Sequence, residues 1–410
     1  MIESKFLEKL LDGEEVEWVP LGEIATVRTG QAVNKRMIAD NPGEYAVINS
    51  GKEPLGYIDQ WNTENDPIGI TSRGAGVGSI TWQEGKYYRG NLNYSASIKE
   101  GSNIEIKYLL HLLLYMQSSI HTLCTFDGIP ALNASSLKQL QIPIPSPSNP
   151  SKSLAIQAEI VRILDTFTEL TTELTNELDA RKKQYNHYRD QLLTFEVGDV
   201  EWKHLEDLLV DKFWIMPATP KFNEDEVIPY ITSKNVGGGN IHFDKIKFIS
   251  RDDYRRLSKN RPILAGDFLI SMIGTIGEVA RVKKSDLEFY GQNMYLVRLD
   301  ESLMNGSYFL HFFDSPKMKS HFCSVKNNSG QGYLKAKDIE KLRIPIPFPN
   351  DTAKSLAEQA RIVAILDKFD TLTHSISEGL PREIELRQKQ YEYYRDLLLS
   401  FPKPEQQQSA

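Results

Sequence analysis

Closely spaced glycines, paired carboxylates and recurring histidines are the residue types through which this chain would act on a substrate, and all three occur. Gly74-Ala75-Gly76-Val77-Gly78 follows a strand-like Pro67-Ile68-Gly69-Ile70-Thr71-Ser72, as a phosphate-cradling loop follows its strand. The continuation, Ser79-Ile80-Thr81-Trp82-Gln83, runs on as a strand instead of opening a helix, so the glycines read as a hairpin turn. There is no Gly-x-x-x-x-Gly-Lys-Ser/Thr run for ATP. Base methylation goes with an Asn/Asp-Pro-Pro-aromatic run, and Asn41-Pro42-Gly43 and Asn149-Pro150-Ser151 lack its second proline. Asp66 upstream of Glu84-x-Lys86 has the residue types of half a nuclease site, but such triplets arise by chance in a chain that is 25% charged. His111 with His311, and His121 with His321, recur at an offset of 200. The first pair sits in the apolar runs LLHLLLY and FLHFF without a local carboxylate cluster, which marks framework side chains and not metal ligands or bases. The two cysteines, Cys124 and Cys323, stand far apart outside any CxxC spacing and read as small buried side chains. These residues therefore give no catalytic centre.

The bulk properties leave a non-catalytic binding role open and set a condition on it. A chain of 410 residues fits two domains plus connecting structure. No stretch approaches the roughly 18 apolar residues of a membrane span, and the acidic, amphipathic start MIESKFLEKLLDGEE is unlike a signal peptide, so a cytoplasmic protein is expected. The net charge is −7. Lys plus Arg against Asp plus Glu stands at 10 to 12 over 16–147, 6 to 8 over 151–196, 22 to 19 over 201–349 and 7 to 9 over 350–401. Any surface for a polyanion must come from local segregation of charge.

The chain repeats itself. IPIP stands at 142–145 and 344–347; KSLAIQAEIVRILDTF (152–167) answers KSLAEQARIVAILDKF (354–369), and RKKQYNHYRDQLLTF (181–195) answers RQKQYEYYRDLLLSF (387–401). Weaker markers extend the match backwards: VEW at 16–18 and 200–202, YLLH at 108–111 against YFLH at 308–311, and Gly-x-x-x-Leu at 128–132 against 330–334. The matched segments carry a heptad seam, which in the first copy is Ile160, Leu164, Phe167, Thr171, Leu174, Leu178, Arg181, Tyr185, Tyr188 and Leu192. In the second it is Ile362, Leu366, Phe369, Thr373, Ile376, Leu380, Ile384, Arg387, Tyr391, Tyr394 and Leu398, with an extra step of four at Gly379-Leu380-Pro381. Ser355 and Glu358 have capping-box spacing at the start of the second helix. A helix of about 43 residues cannot cover its stripe alone, so intramolecular antiparallel pairing of the two related helices is expected.

Each helix is preceded by about 130 residues rich in β-branched and aromatic segments, such as EYAVINSG (44–51), GSITWQ (78–83), VIPYITSKN (227–235) and DFLISMIG (267–274), with one helical stretch at 106–123 and 306–322. The fold class is α+β, a mixed domain used twice. The expected divisions are an N-terminal segment 1–15, a first globular domain 16–147, a central helix 148–199, a second domain 200–349 and a C-terminal helix and tail 350–410. Helices copied almost unchanged are framework, whereas domains that have drifted have specialised for two ligands.

The two variable domains, the IPIP linkers, the helix ends RKKQYNHYRDQLLTF and RQKQYEYYRDLLLSF, the GLPREIE between the helical segments and the VEW opening each domain together resemble the specificity subunit of type I restriction-modification systems, over essentially the whole chain. The tandem TELT at 168–171 and 172–175 resembles the subgroup in which four-residue repeats set a spacer. The resemblance implies two target-recognition domains held apart by an antiparallel coiled coil with pseudo-two-fold symmetry, each domain reading half of a bipartite, asymmetric site in double-stranded DNA. It implies two modification subunits that bind S-adenosylmethionine and methylate adenine, and two restriction subunits that use ATP and Mg. No cofactor is then bound by this chain.

Base edges are read by Arg, Lys, Asn and Gln, and aromatic rings pack on sugars and bases. In the first domain Arg28, Gln31, Asn34, Lys35 and Arg36 are expected in one loop after a helix at VEW, with Arg73 beside the glycine hairpin and Arg89, Asn91, Asn93 and Tyr94 following it. In the second, the candidates are Lys221, Lys234, Asn235, Gln292, Asn293, Lys326, Asn327, Asn328, Gln331, Tyr333 and Lys335. The competing reading is a coiled-coil scaffold that binds only protein; it would show no salt-dependent retention on duplex DNA.

Overall fold

The computed structural model describes residues 4–51, 53–195, 200–327, 332–375 and 378–402; the candidates Asn328 and Gln331 and the seam residue Ile376 lie outside them. The chain forms two compact units, Met1–Leu174 with Glu383–Ala410, and Thr175–Arg382. Each contains one globular domain and parts of both helical segments. None of the described helices is long and apolar enough to cross a membrane.

The same strand plan is built in both units. In the first, Pro42–Ile48 runs parallel to Lys86–Arg89 and antiparallel to Tyr57–Ile58, while Ile68–Thr71 forms a hairpin with Ile80–Trp82 and is flanked by Asn93–Ser95. In the second, Ile228–Ile231 runs parallel to Tyr290–Gly291 and antiparallel to Lys247–Ile249, while Phe268–Ser271 forms a hairpin with Val279–Arg281 and is flanked by Met294–Leu299. VEW is a strand and not the expected helix: Val16–Pro20 pairs antiparallel with Gln141–Pro145, and Val200–His204 with Arg343–Pro347. Prolines within IPIP have no N–H to give a ladder, which suits an isolated two-stranded ribbon. The helical stretch of each domain is also broken, into Ile106–Tyr115 and Gln117–Thr122, and into Gly306–Phe313 and Pro316–Val325, where Ser315 caps and Pro316 opens the second piece.

The central helix, Pro150–Leu192, is 43 residues and about 65 Å long. Its counterpart is interrupted where the extra four residues stand, into Thr352–His374 and Gly379–Leu399. Asp351 caps Thr352–His374, accepting from the Lys354 N–H at 3.0 Å. Ser355, expected in that role, is instead buried and accepts from Gln359 Nε2 at 3.2 Å. Pairing is antiparallel in both units. In the first, Ile160 and Leu164 share a core with Leu398 and Leu399, and Phe167 stacks on Tyr394 at 5.1 Å. In the second, Tyr185 meets His374 at 5.8 Å and Tyr188 meets Phe369 at 5.4 Å.

Each domain is pinned to its helices by a buried polar junction, repeated atom for atom. Gln157 accepts from the Glu105 N–H at 2.8 Å and donates to the Asn103 carbonyl at 3.0 Å; Gln359 does the same with Asn305 and Leu303 at 2.8 and 3.2 Å. The Tyr108 and Tyr308 hydroxyls donate to the carbonyls of Pro143 and Pro345, both at 2.9 Å. The recurring histidines do have carboxylate partners, which come from the helices and not from neighbouring sequence. His111 Nε2 lies 2.9 Å from Asp165 and Nδ1 3.3 Å from the Tyr391 hydroxyl; His311 lies 2.7 Å from Asp367 and 3.0 Å from Tyr185.

Burial holds the His111 imidazole below its usual range, against the opposing pull of the Asp165 hydrogen bond. The unfolded chain takes up this proton near pH 6.5, before the folded one does, so stability is lost as pH falls through the folded value. Hydrogen-exchange protection of Ile68–Thr71 is expected to fall as the pH is lowered below about 6.5, and to fall less in His111→Gln; equal pH dependence in both proteins would refute the assignment.

Candidate nucleic-acid interface

The two hairpins and the loop beside each make one exposed edge per domain. In the first, glycines with positive φ, Gly74 at 97° and Gly78 at 79°, fold the turn. The neighbouring loop is stitched on by Gly74 N–H to the Pro130 carbonyl at 2.9 Å and Leu132 N–H to the Ser72 carbonyl at 2.8 Å. Arg73 lies on this edge, exposed, bridged to Ala131. Thr29 is bridged to Tyr94 and donates to the Asn91 carbonyl at 3.1 Å, and the Tyr94 hydroxyl donates to the Leu132 carbonyl at 3.2 Å. Together Thr29, Arg73, Asn91 and Tyr94 line a cleft of about 470 Å³.

The remaining first-domain candidates divide. Arg28 and Gln31 are exposed on the incoming loop. Asn34 caps the short helix Lys35–Asp40, accepting from the Met37 N–H at 2.9 Å, so Lys35 and Arg36 sit on a helix rather than in the same loop. Arg36 is exposed and pairs with Asp40 at 3.4 Å. Arg89 and Asn93 correct the expectation, because they are 3% and 0% exposed. The Arg89 guanidinium donates to the carbonyls of Ile68, Tyr94 and Asp66 at 3.0, 2.9 and 2.7 Å, to Asn93 Oδ1 at 2.6 Å and to the Tyr87 hydroxyl. It satisfies backbone groups between neighbouring strands and presents nothing to a base edge.

The second domain builds the equivalent edge. Gly274 and Gly277 have φ of 81° and 78°, Ile273 is bridged to Tyr333, and Leu334 N–H donates to the Met272 carbonyl at 2.9 Å. Asn327 and Tyr333 exchange backbone bonds at 2.9 and 3.2 Å, and Asn327 Nδ2 donates to the Tyr333 hydroxyl at 3.1 Å. Lys326 and Lys335 flank this pair, exposed. Lys221 and Lys234 are exposed elsewhere on the domain. Asn235 is another correction: it is buried, accepting from the Thr232 N–H at 3.0 Å and donating to the His242 and Asp244 carbonyls at 2.9 and 3.2 Å. Gln292 is half-buried, accepting from Tyr230 and Thr219 at 3.3 and 3.4 Å, and Asn293 turns the chain at φ 65°.

Reading for polar residues missed Phe126 and Ile129, 52% and 70% exposed on the loop beside the first hairpin. The signal was the Gly128-Ile129-Pro130 turn, which lifts an apolar side chain off the core. Cys323 is exposed and Cys124 half-buried, against the expectation that both are buried. Among the described residues no group of three or more His, Cys, Asp or Glu converges as a metal site.

The model of the type I restriction modification DNA specificity domain matches residues 13–181 and again 199–386, one copy per repeat. The chain is 38% identical to the EcoR124I/EcoR124II type I restriction enzyme specificity subunit of Escherichia coli, over 99% of each chain. It is 30% identical to the EcoprrI specificity subunit of the same species, over 92% of this chain and 93% of that one. Among solved structures, the S subunit of a type I restriction-modification system from M. genitalium superposes with a TM-score of 0.58 at 16% identity, covering 96% of this chain and 98% of that one, a likeness of fold.

Removing a buried, multiply bonded charge strands its partners, whereas truncating an exposed side chain does not. Arg89→Met is therefore expected to lower stability by about 3–5 kcal/mol, and Arg73→Ala to change it by no more than about 0.5 kcal/mol. Thermal unfolding of both variants checks this, and equal losses would contradict the division between strut and surface.

Proposed function

Because the chain belongs to the type I restriction-modification DNA specificity family, we propose that its two domains each read one half of a bipartite, asymmetric DNA site. The helices set the unread spacer and dock two adenine methyltransferase subunits, and two motor-nuclease subunits complete the complex. On this reading the chain has no catalytic role of its own, and S-adenosylmethionine, ATP and Mg belong to the partner subunits. The observation that carries the proposal is the duplicated edge: one backbone plan, a glycine hairpin stitched to a neighbouring loop, displays Arg73, Asn91 and Tyr94 in one domain and Lys326, Asn327, Tyr333 and Lys335 in the other. A common scaffold with different donors suits two different sequences. A protein scaffold has no need of that division.

Exchange of residues 17–141 for the equivalent domain of a relative should change one half of the methylated sequence and leave the other intact, as mapped in cells carrying the whole operon. Change in both halves would defeat the two-headed reading.

The tandem TELT lies inside the central helix, and the boundary between the two compact units, at Leu174 and Thr175, falls within it. Duplicating Thr172-Glu173-Leu174-Thr175 adds about 6 Å and a net turn of roughly 40°. One base pair adds about 3.4 Å and roughly 35°, so the rotations nearly match and bending of DNA absorbs the excess rise. The spacer is expected to lengthen by about one base pair with both half-sites unchanged; an unchanged spacer in the methylation map would separate the helix from spacing.

A further inference from the structure

We infer that the second domain carries a phosphate-gripping face that the first domain lacks, built on the helices Pro316–Val325 and Ala336–Glu340 and the strand Arg343–Pro347, and that its ligand is the backbone of duplex DNA. The inference rests on the recognition reading above and adds to it an inequality between the two heads.

The two domains share a framework, so equivalent positions can be compared within one chain. Register is fixed by Leu132 and Leu334, which make the same backbone bond to Ser72 and Met272, and by the IPIP strands that follow. Residues 117–141 hold one base, Lys138, and one acid, Asp127. Residues 317–343 hold six lysines and Arg343 against Asp338 and Glu340. The rest of 201–349 has more acids than bases, so all the net positive charge of the second domain sits in this stretch. Where the second domain has Lys335, Lys337, Lys341 and Arg343, the first has Asn133, Ser135, Gln139 and Gln141. A framework that folds with neutral side chains at these places does not need the charges for stability.

Nor are they neutralised internally. Glu340 is taken by Lys212 at 3.2 Å and by the Tyr295 hydroxyl, and Asp338 Oδ2 accepts from the Lys335 N–H at 2.9 Å. Lys319 is occupied by Asp314 and Glu278 at 2.9 and 3.3 Å. Lys326, Lys335, Lys337, Lys341 and Arg343 are all exposed, and none lies within ion-pair distance of an acid among the described residues, although Lys337 is near enough to help hold the Glu340 carboxyl below its usual range. Lys337, Lys341 and Arg343 line one groove of about 410 Å³ with His321 and a single acid, Asp338, around a largely apolar floor of Met318, Val325 and Leu342. The groove adjoins the hairpin edge, because Lys326 ends one of its helices, Lys335 caps the next, and the Asn327–Tyr333 pair between them is bridged to Ile273. In a chain of net charge −7, a segregated row of unpaired cations beside a base-reading edge is the surface that holds a polyanion.

The test replaces the second domain's charges with the first domain's residues, K337S/K341Q/R343Q, in the assembled complex bound to duplex DNA carrying its methylation site. Each lost phosphate contact removes about 0.9 from the slope of log affinity against log salt, so the slope should become shallower by about 2–3 while the methylated sequence stays the same. The reciprocal S135K/Q139K/Q141R should steepen it, and decides the matter if the first variant does not fold. Unchanged slopes in both variants overturn the proposal and leave the recognition reading standing. Loss of co-purifying subunits from K337S/K341Q/R343Q with an unchanged slope overturns it in favour of a protein-docking face. If the unaltered complex shows no salt-dependent retention on DNA, the recognition reading itself fails.

Discussion

Two buried glutamines hold the architecture in register. An apolar seam along a long helix gives attraction without a unique position, since sliding by a heptad brings one leucine where another stood. Gln157 and Gln359 remove that freedom, because each amide must meet an N–H and a carbonyl at the foot of a domain helix, and a shift by one turn would strand buried polar groups at about 1–3 kcal/mol each. The His111–Asp165–Tyr391 and His311–Asp367–Tyr185 contacts add the second helix to each junction. Each domain is thereby fixed to a defined point on its helices.

Away from the junctions the domains solve the same packing problem by different chemistry. Arg89 lies opposite Ile48 in the first domain, and Gly291 opposite Ile231 in the second, at equivalent places in parallel pairs. The first fills the space with a guanidinium that satisfies surrounding carbonyls. In the second, Ile231, Tyr290, Met294 and Leu296 close an apolar cluster. A buried cation requires all its partners at once, whereas an apolar cluster tolerates exchange of one side chain for another of similar volume. The outer edges have diverged in a parallel way, with a cluster of five exposed cations, Lys326, Lys335, Lys337, Lys341 and Arg343, on the second domain.

Much of the fold was legible in the residues themselves. The heptad steps located the helices, and every described seam residue is buried or half-buried except Tyr188. The glycine run 74–78 forms the hairpin turn expected of it, and the break at Gly379 falls where the extra four residues interrupt the heptads. What failed depended on partners distant in sequence. VEW looked helical until IPIP, more than a hundred residues away, was brought to its side; Ser355 is the exception, a local miss in which Asp351 takes the cap one turn earlier and Ser355 turns to Gln359.

The candidate interface shows the same division. Sequence alone determined that the chain is a repeat, that its helices are framework, that no familiar catalytic motif is present and that polar side chains cluster beside glycine turns, because periodicity and turn chemistry are properties of neighbouring residues. It could not distinguish Arg73 from Arg89, or Lys234 from Asn235. In a strand, one residue of register decides whether a side chain faces solvent or core, and that register is set by pairings such as Ile48 with Arg89, which join segments some forty residues apart. Tertiary structure alone decided which polar groups are consumed holding the protein together and which remain for a ligand.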